Sequence, residues 1–350
     1  MNKSLQNIGI QIKNARLQNS ILQSQLANKC NVERSQLSKI EQGKVEGVTF
    51  ATIMKILESL DLNFVVKKNS EIDNFYAIRP FVKWAGGKTQ LLPIIEQYMP
   101  KQYNNYYEPF VGGGALLFKI QPKSFCINDL NDELINAYKC FCTKKDFDAL
   151  KELLVEHEKK HSESYFYYIR NMDRDGSINE MSNVQRAART IYINKSCFNG
   201  LYRVNSKGIF NVPSGKKKTV NTFDRTNFDN LYKFFKSRDT HITSVDFAKA
   251  VSSASSGDFI YFDPPYDVLN NNTFTTYNPD GFGKDEQKRL AEIYKDLDAR
   301  GCKVMLSNHD TPFIRELYKG YKIVDVQAKR MINSNGSKRG NVKEVLIMNY

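Results

Sequence analysis

Ile260-Tyr261-Phe262 is followed by Asp263-Pro264-Pro265-Tyr266. The apolar triplet reads as a buried strand. Proline has no amide hydrogen and fixes its own backbone angle, so the strand must end in a stiff turn. Such a turn holds out a carboxylate, a carbonyl oxygen and a flat ring at the carboxyl edge of a sheet, where open α/β sheets bind their ligands. Two acceptors beside a ring suit an exocyclic amine on a stacked base. An ordinary strand end would carry the same residues, so the rest of the chain has to decide.

Two glycine-bearing turns lie upstream. Phe81-Val82-Lys83-Trp84-Ala85-Gly86-Gly87-Lys88 contains the only Trp, set between two lysines, and leads into a helix predicted over 90–98. Its spacing is not that of a phosphate-binding P-loop. In Glu108-Pro109-Phe110-Val111-Gly112-Gly113-Gly114 a glycine turn joins a strand to a helix beginning at Ala115. Asp129 then closes the next apolar stretch, at the spacing where an acid usually binds a ribose hydroxyl. Glycine turn plus acid points to an adenosine-containing cofactor, against a plain βαβ unit with a surface acid. Val245-Asp246-Phe247 is predicted to close another short strand, its acid and ring framing an adenine.

Residues 133–192 are helical in pattern and interrupt the βα series. The tract from Phe198-Asn199-Gly200-Leu201-Tyr202-Arg203 to Phe210-Asn211-Val212-Pro213-Ser214-Gly215 then reads as a hairpin, followed by Lys216, Lys217 and Lys218. Exposed aromatics can fill gaps in a base stack, Arg can read a guanine edge, and lysines can meet phosphate. A solvated basic loop is the plainer alternative. A helix over 284–297, a strand over 303–306 and a β pair over 321–328 and 344–349 complete the alternation.

The N-terminal segment differs in kind. Apolar residues at helical spacing mark helices over 8–17, from a cap at Ser20 through Leu22 and Leu26, over 33–41 with a stop at Gly43, and over 50–60. A three-residue break, Cys30-Asn31-Val32, separates the second from the third, which is the helix-turn-helix layout. The polar run 67–74 reads as a linker.

The totals fit. With 350 residues, 41% hydrophobic and 25% charged, the chain is a globular protein of more than one domain. Its net charge of +13 calls for a polyanionic partner, nucleic acid before membrane surface. No apolar run reaches transmembrane length, and the first residues lack a signal-peptide core, so a cytoplasmic location is expected. Cysteines at 30, 126, 140, 142, 197 and 302 form no Cys-x-x-Cys pair. They read as reduced thiols, and no metal is expected.

The segment Leu22-Gln23-Ser24-Gln25-Leu26-Ala27, Val32 and Leu37-Ser38-Lys39-Ile40-Glu41-Gln42-Gly43 resembles the Cro/C1-type (XRE) helix-turn-helix family. That resemblance implies that Arg34, Ser35, Gln36 and Lys39 enter a DNA major groove. A small bundle used for dimerisation is the competing reading. From Phe81 onward the ordered blocks resemble the Dam family of DNA adenine-N6 methyltransferases, class α. They are Lys-Trp-Ala-Gly-Gly-Lys, Glu-Pro-Phe-x-Gly-Gly-Gly, Asn-Asp, Phe-Asn-Gly-Leu-Tyr-Arg…Phe-Asn-Val-Pro-x-Gly, Asp-Pro-Pro-Tyr and Ser307-Asn308-His309-Asp310.

The resemblance implies a Rossmann-like α/β sheet over 79–350 with a target-recognition insert over 133–224, after a helix-turn-helix domain (1–68) and a linker (69–78). It implies S-adenosylmethionine at Trp84, Lys88, Gly112, Gly114, Asp129, Asp246, Phe247 and Asp263. It implies base flipping, with Asp263 and the Pro264 carbonyl gripping the adenine amine, Pro265 stiffening the turn and Tyr266 stacking on the base. Leu201, Arg203 and Pro213 match positions that read GATC in double-stranded DNA. Lys83 matches a contact to the first guanine, and Phe198, with Asn199 beside it, stands where the family often has Tyr. Two other readings stay open: a repressor that senses the cofactor without catalysis, and a methyltransferase acting on RNA or protein. Oligomeric state, and membership of a restriction–modification pair, are not legible.

Overall fold

The computed structural model describes residues 3–19, 21–44, 47–62, 76–84, 86, 91–268, 282–329 and 341–350. The chain divides into two compact units, Met1–Phe75 and Tyr76–Tyr350. The expected linker (69–78) falls mostly outside the described residues, and Lys88 lies outside them.

The described residues of the first unit form four helices, α1 (Lys3–Gln18), α2 (Gln23–Cys30), α3 (Arg34–Glu41) and α4 (Phe50–Ser59). Leu26, Leu37, Ile40, Ile53 and Ile56 fill its core. Asn31, at φ 53°, turns the chain between α2 and α3. The expected cap at Ser20 lies outside the described residues. Leu22 occupies the N-cap position, and its amide is satisfied by Gln25 Oε1 at 2.8 Å. Arg34 and Lys39 are exposed on α3, and Gln36 is half-buried.

The second unit is built on one sheet. Its strands are β1 (Tyr106–Glu108), β2 (Ser124–Asn128), β3 (Asp239–Thr243), β4 (Phe259–Phe262), β5 (Lys303–His309), β6 (Lys322–Lys329) and β7 (Asn341–Met348), in the order β3-β2-β1-β4-β5-β7-β6. The first five are parallel; β7 runs antiparallel to both β5 and β6. Parallel central strands are covered on both faces, which explains the unbroken apolar run of β4. The period-two alternation sorts the side chains into two cores. Tyr106, Phe125, Ile127, Phe259, Tyr261 and Met305 enter one. Tyr107, Cys126, Ile260, Phe262, Val304 and Leu306 enter the other.

Helix α5 (Leu92–Tyr98) precedes β1, and α6 (Ala115–Ile120) joins it to β2. Four helices, α7 (Asp132–Lys139), α8 (Lys144–Lys160), α9 (Glu163–Asn171) and α10 (Asn183–Ser196), then separate β2 from the basic tract; α11 (Arg225–Lys236) follows it and leads to β3. The opposite face carries α12 (Phe247–Ala250), α13 (Lys284–Ala299) and α14 (Pro312–Leu317).

One expectation changes and another is refined. The strand expected to close at Val245–Phe247 ends at Thr243. Asn128 Oδ1 takes the Val245 amide at 2.9 Å, and Asp246 caps α12 by accepting from the Ala248 amide at 3.0 Å. The tract doubles back antiparallel as a hairpin does, through the bridges Cys197 to Ser214 and Val204 to Phe210, but these are isolated and form no continuous ladder. Asn199 (φ 56°), Gly200 (φ 67°) and Gly208 (φ 74°) leave the extended region, and Pro213 offers no donor.

Candidate active site

Strand order reverses between β1 and β4, which is the switch point where open α/β sheets take ligands. Asp263 leaves β4 at that edge, two residues beyond Tyr261 and so on the same face. There Ser307 Oγ donates to Asp263 Oδ1 at 2.7 Å. Tyr261 Oη lies 3.0 Å from the same Oγ. Because the Ser307 proton is committed to the carboxylate, Tyr261 is the donor in that second bond. Beneath them Tyr106 Oη donates to Glu108 Oε2 at 2.9 Å. Burial, reinforced by the nearby Asp263 charge, pushes the Glu108 carboxyl up to about 8.

The other face braces the same turn. Gln287 Nε2, from α13, donates to the Pro265 carbonyl at 2.8 Å, and Asn308 Nδ2 donates to Gln287 Oε1 at 3.1 Å. Asn308 Oδ1 takes the Asp267 amide at 2.9 Å. Thr311 Oγ1 donates to Asp267 Oδ2 at 2.6 Å. His309 Nδ1 lies 2.5 Å from the Asp267 carbonyl, so that nitrogen carries the proton. Tyr266 meets His309 edge to face at 4.9 Å and donates to Glu344 Oε2 at 3.2 Å. Its phenol is raised well above the ordinary value, first by burial and then by Asp263.

Beside this turn lie the glycines after β1 and the acid after β2. Gly112 donates its amide to Asp129 Oδ2 at 3.1 Å, and the Asn131 amide donates to Oδ1 at 2.9 Å. Burial raises the Asp129 carboxyl, and those two amides oppose it. Gly114 has φ +71°, and a Cβ there would meet Tyr138 Oη at 2.6 Å and Phe118 Cε2 at 2.9 Å, so no other residue fits. Asp246 pairs with Arg289, whose guanidinium stands 4.3 Å from the Phe247 ring centre. Phe247 is only 2% exposed. Phe110, half-buried and 5.5 Å from Phe247, offers an aromatic surface there that Phe247 does not.

The basic tract sits on the insert helices. Trp84 stacks on Tyr202 at 4.8 Å with the rings 25° apart. Asp173 Oδ2, just past α9, takes the Phe210 amide at 2.9 Å, and Arg174 Nη2 donates to the Phe210 carbonyl at 2.6 Å. Buried Arg189 pairs with the same Asp173 at 3.2 Å. Arg203 is exposed, with its Nε held by Asn211 Oδ1 at 2.7 Å. Phe198 is 54% exposed, Asn199 and Pro213 are exposed, and Leu201 is half-buried. Lys195 is lowered to about 8, first by burial and then by the charges of Lys83, Lys217 and Arg79.

Residues 84–332 match the D12 class N6 adenine-specific DNA methyltransferase family, most of the chain. The chain belongs to that family. Residues 11–64 match the Cro/C1-type helix-turn-helix DNA-binding domain. The type II methyltransferase M1.LlaDCHI of Lactococcus lactis subsp. cremoris is 45% identical over 274 residues, 78% of this chain and 96% of the relative. M.MjaIII of Methanocaldococcus jannaschii, also a type II methyltransferase, is 44% identical over 78% of this chain and 99% of its own length. The DNA adenine methylase of Escherichia coli K12 is 34% identical over 77% and 95%. The protein is thus an adenine-specific DNA methyltransferase carrying a helix-turn-helix DNA-binding domain, and DNA is its partner.

Among the described residues, the methyltransferase unit brings Gly112, Gly114, Asp129, Asp246 and Asp263 to the carboxyl edge of one sheet. It brings Lys83, though far away in sequence, against the Phe198–Gly200 turn. Of the supports, Glu108 and Ser307 on one face and Asn308 on the other lay within the matched motifs but were given no role, while Gln287 and Thr311 lay outside them. Ser307 and Asn308 were visible as polar residues ending an apolar strand. Gln287, one turn into an amphipathic helix, carried no such signal.

Proposed function

We propose that this methyltransferase acts on the adenine N6 of GATC in duplex DNA, with S-adenosylmethionine as methyl donor and the target base flipped out of the helix. The observation that carries the reading is the Ser307-held Asp263 carboxylate at the switch point, next to the glycine turn that follows β1. Carboxylates at Asp129 and Asp246, an open glycine backbone and the rings of Phe110 and Trp84 suit a donor bearing hydroxyls, an amine and a purine. Lys88 completes that proposed set, and Phe247, which sequence reading placed in it, is buried and backs Phe110 instead. Bound there, S-adenosylmethionine would supply an activated methyl group on a cationic sulfur.

The chain's own part is positioning. Asp263 and the Pro264 carbonyl accept the two hydrogens of the adenine amine and so turn its lone pair outward. Tyr266, anchored by His309 and Glu344, offers its ring to the flipped base. Pro265, pinned by Gln287, keeps the turn from relaxing. Catalysis then rests on orientation and fixed dipoles, without a covalent enzyme intermediate.

For the target, Arg203 reads a guanine edge with Leu201 and Pro213 beside it, Lys83 contacts the first guanine, and Phe198 with Asn199 fills the gap left by the flipped base. Lys195 and its cationic neighbours meet backbone phosphate, which supplies the counter-charge their mutual repulsion calls for. Arg34, Gln36 and Lys39 of α3 engage a second DNA segment, either to tether the enzyme or to occupy an operator. The work is proposed to take place in the cytoplasm. Among the described residues no helix is long and apolar enough to cross a membrane.

Tritium transfer from methyl-labelled S-adenosylmethionine tests this directly, using a duplex with one GATC and a scrambled duplex of the same composition. Label on GATC alone is expected. Equal label on both contradicts the target assignment, and label on neither contradicts the cofactor assignment.

A further inference from the structure

Asn194 is fully buried at the end of α10. Its Nδ2 donates to the Lys83 carbonyl at 2.8 Å and to the Gly200 carbonyl at 3.0 Å, while its Oδ1 takes the Lys83 amide at 2.9 Å. One side chain thereby holds both backbone polar groups of Lys83 and one of the Phe198–Gly200 turn. Lys83 itself stays exposed, so its backbone is fixed and its ammonium is free to reach outward. Gly200, at φ +67°, adds a second link: a Cβ there would come within 2.6 Å of Lys83 Cδ. The lysine stem therefore lies across the bare backbone of the recognition turn.

An amide buried to this depth with every hydrogen satisfied is costly to replace, because the carbonyls it serves would be left unpaired. Asp in its place would aim a carboxylate oxygen at two carbonyls. Resting on the proposed role of Lys83 at the first guanine, we infer that Asn194 is a specificity-positioning residue that locks the first-base contact and the Phe198–Gly200 turn into one rigid reading unit. It touches no base. It acts by fixing where Lys83 emerges relative to the residues that read the remaining bases.

The test compares methylation of GATC with that of duplexes changed only at the first base pair or only at the last, for wild type, Asn194→Ala, Lys83→Ala and the double variant. Thermal melts run alongside. Asn194→Ala is expected to lower first-pair discrimination about tenfold, within the range that one base contact is worth. Last-pair discrimination should stay as in wild type. The double variant should lose no more than Lys83→Ala, since both changes remove one contact. Gly200→Ala, which displaces the lysine stem and leaves Asn194 in place, should lower the same ratio and decides the matter if Asn194→Ala does not fold.

Full first-pair discrimination in Asn194→Ala, alongside its loss in Lys83→Ala, overturns this inference and leaves the proposed function standing. Equal loss of discrimination at both ends also overturns it, as the mark of a purely structural residue. Retained discrimination in Lys83→Ala removes the assignment of Lys83 and the inference with it.

Discussion

The Asp263–Tyr266 turn and the Phe198–Gly215 tract serve one proposed reaction and are stabilised in opposite ways. The turn is held from within the sheet. Ser307 grips it on one face; Gln287, Asn308 and Thr311 grip it on the other, through buried hydrogen bonds. The tract has almost no ladder of its own and borrows order from α9 and α10 through Asp173, Arg174, Arg189 and Asn194. The contrast matches two tasks. A reacting amine must be aimed within a fraction of an ångström, whereas a surface that reads DNA must stay exposed and still keep its register. Buried polar bonds supply the first; a few backbone clamps on an exposed loop supply the second.

That contrast can be broken at several points. Asp263→Ala should cut transfer on the order of a thousandfold, as removal of a transition-state contact does, while gel-shift affinity for a GATC duplex persists. Substantial residual transfer would move the chemistry elsewhere. Ser307→Ala leaves the carboxylate in place but untethered. A fall in kcat of roughly tenfold to a hundredfold is expected from misaimed groups, with KM for DNA little changed. An effect confined to KM would make Ser307 part of the binding surface.

In the tract, Asp173→Ala frees the Phe210 amide and leaves Arg189 without its carboxylate. Arg189 keeps its bonds to the Ile169 and Arg170 carbonyls, so the loss should be about 2 kcal/mol, below that of a fully orphaned charge. Limited proteolysis should then cut first between 198 and 215. Cleavage elsewhere would show that the clamp is not what orders the tract.

A separate expectation concerns pH. Glu108 is raised to about 8 by burial first and then by Asp263. Between the ordinary Glu value and 8 the folded chain keeps a proton that the unfolded chain releases, so stability falls as pH rises through that window. Glu108→Gln carries no such proton. Its melting temperature should gain on wild type from pH 5 to 8 and run parallel above. Parallel curves across the whole range would mean that Glu108 is ionised in the fold.

The sequence made the two halves of this comparison unequally legible. Strand β4 and its turn are local: four apolar residues, an acid and two prolines announce themselves. The bond that aims Asp263 is not local, because Ser307 lies 44 positions away and arrives only through the register of β4 against β5. The antiparallel fold-back of the tract was legible, but its sparse pairing was not, because Asn199, Gly200 and Gly208 adopt left-handed backbone that interrupts a ladder. Asp246 was misread as a strand end, although an acid directly before Phe-Ala-Lys-Ala is also a helix-cap signature. The helix-turn-helix unit was the plainest, its four helices marked by apolar spacing alone.

Asp263 is proposed to present the adenine of GATC for methylation. Nuclease digestion and mass spectrometry of a duplex containing one GATC, after reaction with wild type and with Asp263→Ala, test it most directly. N6-methyladenine at that adenine alone with wild type, and unmodified DNA with the variant, is the predicted result. Methylation at a different adenine, or the same product from Asp263→Ala, would contradict it.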